Sequence, residues 1–516
     1  MRSALLLTLA FSLPLQATDT PPVVTDVDAQ PLAANAERLL KALDALGAPL
    51  PTDAAKAFTA AVEAKDVRAI QRAIDPHVLI VVSINPESRV KAARGPADAK
   101  LQQSGYTPVI FKVLNDSTVK KALRVTSPQA GPVYGGQGRN DKDPNYDPKA
   151  VRRFAQVEID TAPPMNAELS GLSVEYVIGL IYSSEAGKRE ISLGFDIGQG
   201  NQDLGFRGEV PVLFTVAPAI PVTLKVRDTD GKPTVGRFTF KDAAGHVYPP
   251  KAKRLSPDLF FQDQIYRADG GTVLLPPGEL TMTTGRGPEY QVKTRKIRIG
   301  DKPETITVKL ERWIDPAEYG FFSGDHHIHA AGCAHYTNPT EGISPEDMFV
   351  HVKGEGLNVG CCLTWGPCYD YQRKFFAAKP WERSEPFTVL KYDVEVSGFG
   401  SQALGHVCLL NLKDQTYPGS EGTKTKGWPT WTTPLMTWAK AQGAYTGYAH
   451  SANGLAVDVN KSSHRLLAAL DAGGKGFVTK DEAAAGRLPL PEPFEKIDAN
   501  KDGKLTEAEL AKSTDR

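Results

Sequence analysis

The stretch SGDHHIHAAGCAHY, Ser323 to Tyr336, gathers four histidines and a cysteine into fourteen residues. The chain has ten histidines, eight of them from His326 to His464, and all five cysteines lie between Cys333 and Cys408. Side chains alternate along a strand, so Asp325, His327 and His329 are expected on one face, with His326 turned away. Two imidazoles so placed at a strand end can clasp one cation. Imidazole with a completing carboxylate suits zinc, iron or manganese. Glu395 in YDVEVSG, His406 in LGHVCLL and His450 in GYAHS stand at the ends of further expected strands. Cys333 and His335 are close in sequence but are as readily read as loop residues, and His351 falls on an expected helix as a surface or packing residue.

A second pattern lies near the C-terminus. DANKDGKLTEAE, Asp498 to Glu509, fits the twelve-residue calcium loop. Asp498, Asn500 and Asp502 supply side-chain oxygens at positions one, three and five, and Gly503 makes the turn at six. Lys504 supplies a backbone carbonyl at seven, and Glu509 offers two oxygens at twelve. DAGGKGFVTKDE, Asp471 to Glu482, is a weaker relative. Asp471, Thr479 and Glu482 fall correctly, but Gly473 and Lys475 replace the donors at three and five, so calcium should bind it poorly.

These residues must be positioned by a long chain. Its 516 residues exceed one core, and about three to five domains are expected. Sixty basic residues balance sixty acidic ones, which argues against nucleic acid as a partner. No stretch is long and apolar enough for a transmembrane anchor. Met1-Arg2, the apolar run Ala4–Leu15 and the sequence LQA before Thr18 read as an export signal over 1–17, giving a periplasmic or secreted address. Five cysteines at these spacings do not make a disulfide framework.

The expected fold class is multidomain α+β. A helical segment spans 18–75, where AERLLKALDAL carries apolar residues at helical spacing. A β domain follows over 76–217 and a β-sandwich over 218–312, on short alternating runs broken by turn residues. The sandwich resembles transthyretin- or carboxypeptidase-regulatory-like modules through its pattern and its DGKP turn. From 319 to 460 helix and strand patterns alternate, which argues for an α/β layer or barrel. Residues 461–516 are expected to form a helix-loop-helix pair of the EF-hand type.

Asp325-x-His327-x-His329, then the strand-end Glu395, then Gly405-His406 and Ala449-His450, resemble in order the PHP (polymerase and histidinol phosphatase) metallohydrolases, particularly the CehA/McbA-like branch. The resemblance covers about 319–458. It implies a PHP-like α/β barrel, here partial, and metal-dependent hydrolysis of phosphoester, carboxyl or carbamate ester bonds in a small molecule. It further implies that His327, His329 and Glu395 hold one metal, with Glu395 bridging to another on His406 and His450. Asp325 would orient a histidine, and Glu395, His450 and Asp325 would serve catalysis. The family's Thr-Asp-His stands here as Thr364-Trp365-Gly366. The alternative is a non-catalytic, exported calcium-binding or interaction protein with a degenerate barrel.

Overall fold

The structure, a computed structural model, describes residues 20–133, 152–198, 208–330, 343–364, 369–396, 406–420, 432–449, 459–471, 473–485, 490 and 492–514. The expected export signal lies outside them. The chain divides into two compact units, residues 1–321 with 353–356, and 322–352 with 357–516. Among the described residues no helix is long and apolar enough to cross a membrane.

The first unit opens with three helices, α1 (Ala29–Ala45), α2 (Thr52–Glu63) and α3 (Val67–Ile74). Helix α1 buries Leu32, Ala36, Leu39 and Leu43, one stripe at helical spacing. Asp66 starts α3 by accepting the backbone N–H groups of Arg68 and Ala69, which would otherwise lack partners. The helices pack on one face of a five-stranded sheet of β1 (Val78–Ile84), β2 (Val90–Arg94), β4 (Tyr106–Asn115), β6 (Ala155–Ile159) and β7 (Val174–Ser183), ordered 2-1-4-7-6. Its other face packs on β3 (Lys100–Gln102), β5 (Arg124–Thr126), β8 (Gly187–Asp196) and β9 (Glu209–Ala217), ordered 3-9-8-5. Strand β1 is therefore apolar except for Ser83, whereas β9, covered on one side, alternates buried and exposed residues. Among these apolar residues, Lys112 Nζ sits 2.8 Å from Asp75 Oδ2, and Tyr176 donates to Asp75 Oδ1 at 2.8 Å.

A second sandwich follows in the same unit. One sheet holds β10 (Ile220–Arg227), β14 (Gly271–Leu275) and β17 (Glu304–Lys309), ordered 14-10-17. The other holds β11 (Val235–Lys241), β12 (Val247–Tyr248), β15 (Gly278–Gly285) and β16 (Lys293–Ile299), ordered 12-11-15-16, with β13 (Ile265–Ala268) also on β11. Between them lie Val222, Leu224, Phe238, Phe240 and Met282. The DGKP turn carries Gly231 at φ 82°, but it sends β10 and β11 into opposite sheets rather than forming a hairpin.

In the second unit β18 (Gly324–Ile328), β19 (Val359–Thr364) and β20 (Val389–Val396) are parallel neighbours. Strands β21 (Val407–Leu410) and β22 (Tyr445–Tyr448) extend the sheet antiparallel, in the order 18-19-20-21-22. Helices α4 (Pro345–Gly354), α5 (Tyr369–Gln372) and α6 (Thr432–Ala441) connect them. The expected α+β class with a partial α/β barrel is overturned: the described residues are mostly β, with 36% strand against 23% helix. The reason is visible at β20. Only residues 397–406 separate it from β21, short of the roughly dozen or more that a parallel crossover needs. The chain therefore returns antiparallel, and among the described residues the sheet is open with β18 and β22 at its edges.

The expected EF-hand pair is also corrected. The C-terminal elements are α7 (Val459–Leu470), β23 (Phe477–Thr479), α8 (Lys480–Ala485), α9 (Phe494–Ile497), β24 (Lys504–Thr506) and α10 (Glu507–Thr514). Helix α9 is one turn, bounded by the extended Pro493 before it and by Asp498, which leaves helical geometry, after it. The region is two acidic loops tied by the β23–β24 ribbon over Leu470, Val478, Phe494, Leu505 and Leu510.

Candidate metal centre

The histidines sit where β18 departs from regular pairing. Asp325 is opposite Gly360 and Ile328 opposite Cys362, so β18 carries one residue more than β19 across this interval. Asp325 supports the bulge by accepting the His327 backbone N–H on Oδ1 at 2.9 Å. Strict alternation is therefore broken. His327 and His329 meet because of the bulge and the strand's end, not because they follow a regular pleat. Asp325, expected to orient an imidazole, acts on the backbone of His327.

Glu395 comes from the other side of β19, one residue before β20 ends, and is 1% exposed. Its Oε2 lies 2.9 Å from His327 Nε2 and 3.2 Å from His329 Nε2, and the two nitrogens are 3.1 Å apart. Ligand atoms about 2.0–2.1 Å from a tetrahedral or octahedral ion stand roughly 2.8–3.4 Å from one another. The triangle has that size. Two ring nitrogens this close do not satisfy one another with a proton on each, and a shared cation removes the conflict. Burial would raise the Glu395 carboxyl, but hydrogen bonds from His327 and His329 outweigh it and hold the group far below the usual carboxylate range. The Glu395 bond in turn raises the His327 pKa.

His406 stands immediately before β21 and places Nδ1 2.9 Å from Glu395 Oε1. Because β21 runs antiparallel, its start lies at the same sheet end as the close of β20. The structure thus brings His406 to the second carboxylate oxygen rather than into the triangle of His327, His329 and Glu395. His450, Cys333, His335, Trp365 and Gly366 lie outside the described residues. His351, read as a surface or packing residue, is buried on α4.

Sequence reasoning missed the support beneath the site. Lys391, Asp393 and Glu395 alternate onto one face of β20. Asp393, fully buried, takes Lys391 Nζ at 3.0 Å and the backbone N–H of Asn411 at 2.7 Å. These bonds pin the end of β21 to β20. The signal was present in KYDVEV, where three charges share one side of a strand that is otherwise apolar.

In the second acidic loop Asp498 Oδ2 accepts the Gly503 N–H at 2.9 Å and Oδ1 accepts that of Asp502 at 3.1 Å. Glu509 Oε2 accepts from Thr506 N at 3.0 Å and Oγ1 at 2.7 Å, while Oε1 accepts the Ala499 N–H at 3.2 Å. Asn500 and Lys504 both meet Asp502, through Asn500 Nδ2 on Oδ2 and the Lys504 N–H on Oδ1. The first loop repeats the frame: Gly476 N–H to Asp471 Oδ2 at 2.7 Å, and Thr479 N and Oγ1 to Glu482 Oε2 at 3.0 and 2.9 Å. Gly476 and Gly503 both take positive φ, as the sharp turn requires.

No protein-family model matches the chain, and no curated protein matches it. Among solved structures, BcpA, the major pilin subunit of Bacillus cereus, is similar over 45% of this chain and 70% of its own, with 13% identity and a TM-score of 0.18. The group B streptococcus pilus 2b backbone protein is similar over 45% of this chain and 98% of its own, with 13% identity and a TM-score of 0.14. Bovine butyrophilin covers 43% and 99%, with 10% identity and a TM-score of 0.13. Likenesses at these scores carry no argument about this chain.

Proposed function

We propose that this chain is a metal-dependent hydrolase whose centre is His327, His329 and Glu395, acting on a phosphoester or a carboxyl or carbamate ester. One observation carries the reading: two imidazole nitrogens and a buried carboxylate oxygen form a triangle with sides of 2.9, 3.1 and 3.2 Å. The residues fit zinc, iron or manganese by donor type and spacing. Such an ion, when bound, lowers the pKa of a coordinated water and polarises the scissile bond. The protein's own part is to hold the donors. Glu395 is fixed from behind by His406, and the Asp325 carboxylate sets the turn that presents His327. Two imidazoles and one carboxylate also suit iron–oxygen chemistry. The PHP-like order of motifs favours hydrolysis.

The second acidic loop supports calcium binding through Asp498, Asn500, Asp502, the Lys504 carbonyl and Glu509, as a structural clamp in an exported protein. The first loop would contribute its ribbon rather than a strong site.

The test is turnover of a generic phosphoester and a generic carboxyl ester by the full chain reloaded with zinc, iron or manganese. Slow, chelator-sensitive hydrolysis is expected, falling by about 100-fold or more in Glu395→Gln. Turnover indifferent to chelator and to Glu395→Gln contradicts the reading.

A further inference from the structure

The two acidic loops share a frame but differ at one oxygen. In the second loop Glu509 Oε1 accepts the Ala499 N–H at 3.2 Å, and Asp498 Oδ1 and Asn500 Oδ1 both accept the Asp502 N–H. In the first loop the equivalent oxygen, Glu482 Oε1, is bonded to Lys475 Nζ at 2.6 Å. That ammonium comes from position five of the same loop, where a donor oxygen would stand. Lys475 Cγ, Cδ and Cε lie 3.5, 3.6 and 3.7 Å from where a side chain on Gly473 would begin, so the lysine stem runs beside the place of the missing position-three donor in ordinary contact. The ammonium also stands 4.9 Å above the Phe477 ring, which limits where it can swing. Among the described residues the buried Asp471 Oδ1, at position one, has no hydrogen-bond partner.

We infer that Lys475 is the resident cation of the first loop: its ammonium neutralises Glu482 and keeps the loop folded without calcium. This rests on the calcium reading of the second loop and extends it. The pair of loops then takes one calcium, and the first loop holds its half of the β23–β24 ribbon at any calcium concentration.

The experiment uses the full chain, stripped with chelator and titrated with calcium chloride by calorimetry. The parent should bind one calcium, and Glu509→Ala should bind none. Adding Gly473→Asp and Lys475→Asp to Glu509→Ala should restore one calcium, lost again with Glu482→Ala. No calcium in that restored variant overturns the inference, as does calcium binding by Glu509→Ala alone that Glu482→Ala removes. A parent that binds no calcium defeats the reading of the second loop instead, and the restored variant still decides the role of Lys475. Hydrogen exchange supplies an arm that does not depend on calcium. In chelator, Lys475→Met should speed exchange of the Gly476 and Thr479 amides by about tenfold or more, while Lys480→Met should not. Equal exchange in parent and Lys475→Met overturns the inference.

Discussion

Glu395 can serve a cation only if its carboxylate is held in one orientation, and the neighbours that hold it are single residues. Asp325 acts one step further out, through the backbone N–H of His327. Removing such a support weakens metal binding without removing a donor, typically by about 10- to 100-fold. Asp325→Ala should therefore bind zinc about tenfold or more weakly in a competition titration, with the stoichiometry unchanged. An unaltered affinity would make Asp325 an ordinary surface carboxylate. Residue identities were legible here, because Asp-x-His-x-His with a distant strand-end Glu is a donor set readable from chemistry. Their roles were less so. His406 meets Glu395 Oε1 instead of standing beside His327, and that depends on which way β21 runs.

At the scale of elements, turn chemistry written in a few residues decides more than periodicity does. Between β11 and β12, Asp242 accepts the backbone N–H groups of Ala244 and His246 and lies 2.9 Å from His246 Nδ1. The Asp242 hydrogen bond raises the His246 pKa above its ordinary value. A raised folded pKa means the contribution is fully present below the unfolded value of about 6.5 and is lost as pH rises through the folded value. His246→Gln should thus destabilise the first unit more at about pH 5.5 than at about pH 9 in urea denaturation. A pH-independent difference would contradict this. Strand runs such as EISLGFDIG were readable from their alternation. The bulge in β18 was not, since one inserted residue leaves the apolar pattern of so short a strand unchanged. Nor was the antiparallel return after β20, which only the length of residues 397–406 betrays.

Across the whole molecule, long-range polar contacts tie distant segments in ways no local pattern records. Lys112 on β4 bonds Asp75 after α3 and the Pro22 carbonyl at 2.8 Å, so one buried ammonium joins three parts of the first unit. Burial lowers the Lys112 pKa and raises that of Asp75, as expected where leaving water opposes both charges. Lys112→Met, which strands the Asp75 carboxylate, should cost about 3–5 kcal/mol, and Lys112→Met with Asp75→Leu should recover most of it. A single variant as stable as the parent would contradict that. Among the described residues, the barrel expected from the alternating helix and strand patterns of the second unit gave way to an open sheet. Alternation of elements does not determine whether each connection is long enough to cross over. What the second unit does offer is the meeting of β18, β20 and the start of β21 at one sheet end, and the central claim is that a metal ion is held there. The direct measurement is metal content of the full chain purified without chelator, by mass spectrometry. About one or more equivalents of zinc, iron or manganese are expected in the parent and in His326→Ala, falling severalfold in His327→Ala and His329→Ala; equal metal content in all three variants would contradict the centre.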